Sequence, residues 1–343
     1  MLGSGLALAA CNGKGGGRAG GAPEGPQPGA PKEGDVKLPV GAAMPMRRLG
    51  KTGVNVSLVG LGGFHIGVPK DEKEGIRIVH AALDHGVNFL DNCWDYHDGD
   101  SEQRVGKALL GGYRKKAFVM TKLDGRTKKA AADQLERSLR RLRTDVIDLV
   151  QIHEVIRASD PGRVFAEGGA IEALVDARQA GKIRFIGFTG HKDPDIHLAM
   201  LRAADAHGFR FDTVQMPLNP MDAHYRSFRE NVLPVLVERD VGVLGMKPLG
   251  SGLLLKSGAV DARECLRYAM SLPTSVVITG CDTMGVLEQA LDVALRFEPM
   301  TEDEKSALLA RTAAAAAHGR FEQYKTTERF DGTAKHPGWL EHA

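Results

Sequence analysis

The feature that most constrains the fold is a regular alternation of short apolar runs with longer amphipathic stretches. The short runs are predicted strands, and they cover 58–61, 87–90, 117–121, 146–152, 185–188, 213–216, 241–245 and 275–278. The amphipathic stretches are predicted helices, and they cover 71–85, 101–110, 127–143, 169–180, 194–207, 227–239, 261–271 and 284–297. Pro234 lies inside the sixth helix and is expected to kink it or to mark its start. Strands that alternate with helices in this way predict a parallel sheet covered by helices.

The number of strand–helix units favours a closed (β/α)8 barrel, the TIM barrel, over an open doubly wound sheet. A doubly wound sheet that binds a dinucleotide would carry the spacing G-x-G-x-x-G after its first strand, and Gly60–Leu61–Gly62–Gly63 does not have it. A short β-hairpin is predicted before the barrel, over 47–58, and an Ala-rich extra helix with a polar tail follows Met300. We therefore expect an α/β fold with one barrel domain over 42–300 and a C-terminal helix and tail over 301–343.

The first 41 residues have a different composition. They are rich in Gly and Pro after Asn12, and such a segment is expected to be disordered because it has little apolar surface to bury. Leu8–Ala9–Ala10–Cys11 resembles a bacterial lipoprotein cleavage box, which predicts an exported, periplasmic protein with a lipid anchor at Cys11. The missing basic residues and the short apolar run favour a cytoplasmic protein instead, so both locations stay open.

Charge and cysteine content exclude several classes of protein. The net charge is +2, which gives no electrostatic footprint for nucleic acid. No stretch of 18 or more apolar residues predicts a transmembrane span. Cys11, Cys93, Cys265 and Cys281 form no CxxC pair, so neither an iron–sulfur cluster nor a structural zinc site is predicted. The oligomeric state is left open.

Polar side chains occur where the predicted strands end. Asp91, Lys122 and His153 end the second, third and fourth strands, and Tyr96 lies in the loop after Asp91. In a barrel these ends meet at one rim, where active sites are found. The set suits carbonyl reduction: Tyr96 would be the general acid, with its pKa lowered by the Lys122 ammonium, which Asp91 would hold. His153 would donate a hydrogen bond to the carbonyl oxygen. Taken alone, Asp91 could cap a loop and Tyr96 could be a packing residue.

Several segments resemble the aldo-keto reductase family. They include 48–53, Phe89–Leu90–Asp91 with Tyr96, 101–109, Thr121–Lys122 and 145–153, and the resemblance extends over roughly 46–297. The resemblance implies a catalytic tetrad of Asp91, Tyr96, Lys122 and His153. It also implies an oxidoreductase that uses NADP(H) or NAD(H) to reduce an aldehyde or ketone to an alcohol, or the reverse. Hydride transfer in the family is direct, with no metal, flavin or iron–sulfur cluster.

The resemblance also implies cofactor-binding residues. Thr189 would hold the nicotinamide carboxamide together with Gln215, although Gly190 stands where the family has asparagine. The pyrophosphate would lie against the loop after the seventh strand, and the adenosine against the end of the eighth. The residues expected there are Lys247, Leu249, Gly250, Gly252, Gly280 and Asp282. Asp282 replaces the basic residue that the family often has at the 2′-phosphate, which puts NADPH preference in doubt.

Trp94, Phe64 and His65 are candidates for the wall of the substrate pocket, where a small carbonyl or alcohol would bind. No metal site is predicted, since the acidic residues and His97 near Asp95 lack a regular ligand spacing. Two alternatives stay open. One is a cofactor-binding regulatory or redox-sensing protein on the same fold. The other is a Schiff-base aldolase using Lys122, which would leave Asp91 without a role.

Overall fold

The computed structural model describes residues 29–342, and they form a closed barrel of eight parallel strands after a two-stranded hairpin. Around the barrel the strands follow chain order, and the last pairs with the first. The hairpin strands are β1 (Met46–Arg48) and β2 (Asn55–Ser57), which pair antiparallel. The barrel strands are β3 (Val59–Gly62), β4 (Phe89–Asp91), β5 (Phe118–Leu123), β6 (Ile147–Ile152), β7 (Ile183–Thr189), β8 (Thr213–Pro217), β9 (Gly242–Met246) and β10 (Val276–Gly280). The predicted (β/α)8 fold and its hairpin are confirmed.

Helices connect the strands and cover the outside of the barrel. Those predicted from the sequence are α2 (Glu72–Asp84), α3 (Asp100–Ala108), α4 (Lys128–Leu142), α6 (Ala170–Gln179), α7 (Pro194–Ala206), α8 (Phe228–Asn231), α9 (Leu233–Glu238), α10 (Ala262–Ser271) and α11 (Met284–Leu295). The sixth predicted helix is divided into α8 and α9, with Pro234 in the first turn of α9, where its missing N–H costs nothing. Two short helices within the barrel region were not predicted, α1 (Gly63–Ile66) and α5 (Asp160–Phe165).

Two apolar layers hold the barrel together. Inside it, Phe89, Phe118, Leu149 and Leu244 form one buried cluster with residues of the hairpin such as Leu49. The second and larger layer lies between the outer surface of the strands and the helices. The hairpin therefore closes the amino-terminal end of the barrel, and the carboxyl-terminal rim is left for the site. No helix within the described range 29–342 has the length and apolarity needed to cross a bilayer.

The C-terminal region begins with the expected Ala-rich helix, α12 (Glu302–Ala316). The chain then folds back over the carboxyl-terminal rim of the barrel through α13 (Gln323–Thr326) and α14 (Gly332–Lys335). We call residues 322–340 the tail. Lys325 of the tail is buried and forms ion pairs with Asp222 and Glu322. The tail is therefore a packed part of the structure, although its sequence is polar.

Residues 29–41 also lie against the barrel. Glu33 pairs with Arg77 of α2, and the Gly34 N–H donates to Glu288 of α11 at 2.8 Å. A Cβ atom at Gly285 would overlap the carbonyl oxygen of Pro31, so the segment touches α11 where that residue has no side chain. Gly and Pro content alone did not predict this docking. Leu8–Cys11 lie outside the described residues, so the lipid anchor and the export expected from them stay predictions.

Candidate active site

The residues of the predicted tetrad all lie at the carboxyl-terminal rim of the barrel. Asp91 is the last residue of β4, Lys122 is the last but one residue of β5, and His153 directly follows β6. Tyr96 lies in the loop between β4 and α3. All four line one cavity. The structure therefore brings together side chains that are separated by up to 62 positions in the sequence.

Lys122 is the centre of this group. Its Nζ forms an ion pair with Asp91 and donates to the carbonyl oxygen of Asn92 at 2.8 Å. The same Nζ lies 3.3 Å from the hydroxyl oxygen of Tyr96. Lys122 is only 1% exposed, so its ammonium depends on these oxygen atoms to replace water. This arrangement fixes the ammonium beside the phenol.

The loop that carries Tyr96 is held in place by the helices behind it. Arg141 of α4 donates to the carbonyl oxygen of Trp94 at 2.6 Å. Glu102 of α3 is fully buried and accepts a hydrogen bond of 2.6 Å from Thr121 of β5. These contacts tie the loop to the strand that carries Lys122. The distance between the phenol and the ammonium is thus set by neighbouring elements and not by the loop alone.

The environment of Tyr96 affects its acidity. Burial raises the pKa of the phenol well above its usual value, and the Asp91 carboxylate raises it further. We expected Lys122 to lower this pKa, so the direction in the free protein is the opposite of the expected one. The main physical reason is burial, which disfavours the charged phenolate, and the nearby negative charge of Asp91 adds to it. The phenol therefore keeps its proton, as a proton donor must.

His153 is held by its Nδ1 atom, which lies 2.9 Å from Asp124 Oδ1 and 3.2 Å from Cys93 Sγ. Burial opposes the imidazolium, but the Asp124 carboxylate outweighs burial and raises the pKa of His153. Asp124 is itself buried and accepts a hydrogen bond of 2.5 Å from Nε1 of Trp94. Because Nδ1 is engaged, Nε2 is the ring nitrogen left for a ligand in the cavity.

The cavity has a volume of about 640 Å³, within the range of ~300–1,000 Å³ that is usual for sites that bind small molecules and cofactors. Besides the tetrad, it is lined by the loops after β7, β9 and β10 and by both terminal regions. The expected residues on its wall are Phe64, His65, Thr189, Lys247, Leu249, Gly252, Gly280 and Asp282. The cavity thus joins the tetrad to the end of β10.

Three expected residues are placed elsewhere. Trp94 is buried away from the cavity, where it donates to Asp124 and contacts Trp339 of the tail edge-on. Gly250 is next to the wall but not on it, and the Leu254 side chain packs against it. Gln215 is fully buried behind Asp91 and donates to its Oδ2 at 2.5 Å. Its Oε1 has no hydrogen-bond partner among the described residues, so it can accept an amide N–H.

The residue after Thr189 departs from the family pattern for a steric reason. A Cβ atom at Gly190 would overlap the carbonyl oxygen of Val155 and lie 2.8 Å from the His197 ring. No asparagine fits there without movement of the loop after β6. His191 lines the cavity instead, with its Nε2 held at 2.9 Å by Asp331 of the tail.

Lys247 is the cation of the loop after β9. It forms no ion pair with any residue in 29–342, and its Nζ lies 5.4 and 5.3 Å from the centres of the Tyr324 and Phe330 rings. Burial lowers its pKa to about 8. A partly desolvated ammonium that faces a cavity and has no carboxylate partner is suited to binding an anion.

Several wall residues were not among the expected ones. Asp95 and Glu154 are next in sequence to tetrad residues, so the ends of the predicted strands contained a signal for them. Burial and the nearby Asp124 carboxylate raise the pKa of Asp95 to about 7. Phe330 and Gly332 of the tail also line the cavity. Nothing in a polar tail sequence indicates where it docks.

The family model described as the Aldo/keto reductase family matches residues 58–267. L-galactose dehydrogenase from Arabidopsis thaliana is 34% identical over 279 residues, which cover 77% of this chain and 83% of that protein. An uncharacterised oxidoreductase from Bacillus subtilis is 32% identical over 62% of this chain and 69% of its own length. The holo structure of an aldo-keto reductase from Bacillus halodurans superposes with a TM-score of 0.66 at 25% identity, covering 81% of this chain and 99% of that one. With its tetrad residues on the rim of a (β/α)8 barrel, the chain belongs to the aldo/keto reductase family, whose members are NAD(P)-dependent oxidoreductases.

Proposed function

We propose that the protein interconverts an aldehyde or ketone and the corresponding alcohol with NAD(P)(H), and that Tyr96 is its general acid and base. The observation that carries the proposal is the arrangement of Asp91, Tyr96, Lys122 and His153 around one end of a cavity of about 640 Å³. When bound, a nicotinamide cofactor supplies or accepts the hydride. The side chains of the protein must then donate or accept the proton and stabilise the negative charge on the substrate oxygen.

The proton comes from Tyr96 in the direction of reduction. Negative charge develops on the substrate oxygen as the carbonyl carbon is reduced, and the phenol O–H donates to that oxygen. The phenolate that remains lies 3.3 Å from Lys122 Nζ, whose positive charge stabilises it. Asp91 and the carbonyl of Asn92 keep the ammonium in position. In oxidation of an alcohol, the same phenolate accepts the proton.

His153 orients the substrate oxygen. Its Nδ1–H donates to the Asp124 carboxylate, and the raised pKa of the ring favours the imidazolium, whose Nε2–H can donate to the carbonyl oxygen. A preorganised donor of this kind contributes to catalysis because it needs no reorganisation as charge develops. Phe64 packs edge-on against Tyr96, with ring centres 5.5 Å apart, and helps to hold the phenol in place.

The cavity residues fit a dinucleotide. Thr189 lines the cavity, and Gln215 lies behind its wall, where its Oε1 has no partner among residues 29–342 and would accept from the carboxamide. Lys247 and the loop to Gly252 would hold the pyrophosphate. Asp282 and the N-terminus of α11 lie around the adenosine end. The negative charge of Asp282 does not favour a 2′-phosphate, but its side chain does not exclude one sterically. We propose a modest preference between NADPH and NADH for this reason.

The first test is Tyr96→Phe. Removing the hydroxyl should lower kcat by about 10²–10⁴-fold, since this is the usual contribution of general acid catalysis. The affinity for NADH and NADPH, measured by fluorescence titration, should stay nearly unchanged. Tyr113→Phe is the matched control, because its hydroxyl is exposed and bonds Asp84 on the outer surface. If Tyr96→Phe retains most of the activity against a panel of aldehydes, the proposed role of Tyr96 is wrong.

One observation favours the alternative of a regulatory cofactor-binding protein. Gly190 removes a contact that the family makes to the carboxamide, and the clash with Val155 shows that a larger residue cannot simply be restored. The two functions differ in the unmodified protein. Cofactor binding without turnover of any aldehyde, ketone or alcohol in the panel would favour the regulatory function over the catalytic one.

A further inference from the structure

A second cluster of chemically active side chains lies directly behind the His153 ring. Cys93 Sγ is 3.2 Å from His153 Nδ1, and Asp95 Oδ1 is 3.9 Å from the same nitrogen. These donor atoms all lie within 4.8 Å of one another, and the three residues are buried. The proposed hydride and proton transfer uses His153 but gives no task to Cys93 or Asp95.

Asp95 supplies an independent observation. Its residue is only 8% exposed, and its Oδ1 accepts no hydrogen bond of ordinary geometry from any residue in 29–342. A buried carboxylate oxygen without a donor is costly, and natural proteins rarely leave one. The atom instead faces a thiol and an imidazole nitrogen, which are themselves metal ligands. A cation bound between the three donor atoms would give this oxygen the partner that it lacks.

We propose that Cys93, Asp95 and His153 bind a divalent transition-metal ion, with zinc as the ion that fits best, through Sγ, Oδ1 and Nδ1. Thiolate, imidazole and carboxylate together are the donor set of zinc. Zinc–ligand bonds of about 2.0–2.3 Å in a tetrahedron separate the donors by roughly 3.3–3.6 Å. The distances of 3.2 and 3.9 Å to Nδ1 lie within a few tenths of an ångström of that range.

Asp124 competes for the same ring nitrogen. In the metal-free protein Nδ1 interacts with Asp124 Oδ1 at 2.9 Å, and one nitrogen cannot hold a proton and a metal at once. Binding therefore releases protons from Nδ1 and from the Cys93 thiol. Asp124 stays close through its bond to Trp94, and it can accept from a water molecule in the fourth position. Its negative charge also favours a cation there.

A metal on Nδ1 is compatible with catalysis, because it leaves the proton on Nε2, the nitrogen on the side of the cavity. The metal would fix the ring and its tautomer without entering the path of the hydride. The metal site does not depend on the proposed function, since it rests on the donor atoms of Cys93, Asp95 and His153 alone. It differs from the metal-free site expected from the sequence.

The test measures the metal directly. The full-length protein is loaded with zinc sulfate, dialysed against metal-free buffer and analysed by inductively coupled plasma mass spectrometry. The unmodified protein should retain about one zinc ion per chain. Asp95→Asn should weaken zinc binding by more than about 10-fold, since even changes to residues that only orient a ligand cost that much. Cys281→Ser is the matched control, because Cys281 is also buried but lies outside the cluster, and it should retain zinc.

Cobalt substitution identifies the ligand. Co²⁺ bound by a thiolate gives a charge-transfer absorption, which should appear in the unmodified protein and in Cys281→Ser and disappear in Cys93→Ser. Circular dichroism checks that each variant is folded, and Asp95→Asn decides the question if Cys93→Ser does not fold. The proposal is overturned if the unmodified protein retains no zinc, or if Asp95→Asn and Cys93→Ser retain as much as the control. In that case the three side chains form a hydrogen-bonded network only.

Discussion

Lys247 is a cation placed in a wall of the cavity without a counter-ion among the described residues. Burial is the main reason that its pKa falls to about 8, and the positive charge of Lys122 lowers it further, against the raising effect of Glu154. The ammonium is thus present below about pH 8 and lost above it. A binding site for a pyrophosphate that depends on this charge must weaken as the pH rises through that value.

We therefore predict that the dissociation constant for NADH rises as the pH increases through about 8. Lys247→Met should weaken NADH binding by roughly 10- to 100-fold below that pH, as expected for a charge-assisted hydrogen bond, and should flatten the pH dependence. Fluorescence titration across the pH range measures both. Lys256→Met, which removes an exposed lysine near the same loop but off the cavity wall, is the control. An unchanged pH profile in Lys247→Met would show that this lysine does not bind the cofactor.

At the scale of single residues, the sequence identifies the tetrad but not the groups that tune it. Asp91, Lys122 and His153 stand at the ends of apolar strands. A polar side chain is costly there unless it has a partner or a function, so these positions could be predicted. Asp124 lies two residues beyond Lys122 in a polar loop. Its action on His153 depends on the angle between β5 and β6 and on Trp94, and neither can be obtained from residue spacing. The predicted direction of the Tyr96 pKa was wrong, because the burial that raises it depends on packing that residue spacing does not reveal.

Among the elements, we expect the N-terminus of α11 to set the preference between NADPH and NADH. Asp282 and Glu288 place negative charge there, and the Gly34 N–H donates to Glu288. Arg263 lines the cavity, but Asp292 accepts a hydrogen bond of 2.7 Å from it and offsets its charge. A 2′-phosphate would meet little net positive charge at this helix, whereas the free ribose hydroxyl can donate to a carboxylate.

Asp282→Arg should accordingly shift the ratio of NADPH to NADH affinity toward NADPH, by roughly 3- to 10-fold in view of solvent screening. Asp145→Arg is the matched control, since it makes the same charge change on an exposed residue just before β6, at the opposite end of the barrel. Paired titrations with the two cofactors give the ratio. Strong selectivity for NADPH in the unmodified protein would mean that Arg263 or another basic residue reaches the phosphate.

The tail is an element fixed by buried polar contacts. Glu154 accepts hydrogen bonds from the Gly332 and Thr333 N–H groups at 2.8 and 2.7 Å, and Asp331 pairs with Lys192 at 2.7 Å and contacts His191. Glu154 is next to His153, so the tail is attached to the same rim that carries the proposed tetrad. Loss of these bonds should release the tail without unfolding the barrel.

We expect Asp331→Ala to destabilise the docked tail by about 1–3 kcal/mol, the cost of leaving buried partners unpaired. Hydrogen exchange should then become faster in residues 322–340 and stay unchanged in the barrel strands. Cofactor release, followed by stopped-flow fluorescence, should also become faster because Phe330 and Gly332 line the cavity. Asp303→Ala, on the exposed side of α12, is the control. Equal protection of the tail in both variants would contradict its attachment through Asp331.

The elements themselves were largely predictable. Each barrel strand and each long helix begins and ends within a few residues of its predicted range, because period and length are local properties of the sequence. The division at Pro234 was predicted as well, from the lack of a backbone N–H. The short helices α1 and α5 were missed, since four to six residues are too few to show a helical period.

At the scale of the whole molecule, the barrel could be predicted, but the docking of residues 29–41 and of the tail beside the cavity could not. The hydrophobic pattern predicts that eight strands form a ring. The residues at the carboxyl ends of those strands, including the proposed tetrad, must then lie at one rim of the ring. The docking of residues 29–41 and of the tail depends on individual pairs such as Glu33 with Arg77 and Asp331 with His191. Such pairs join positions that are distant in sequence, and a single sequence contains no signal that connects them.

The cavity wall includes Pro31 and Phe330, which are separated by about 300 residues. A ribosome makes Phe330 only after every strand of the barrel has been synthesised. A nascent chain can therefore contain the complete ring of strands while the cavity is still missing one wall. If this cavity holds the cofactor as proposed, we expect tight cofactor binding to begin only after the tail has been synthesised.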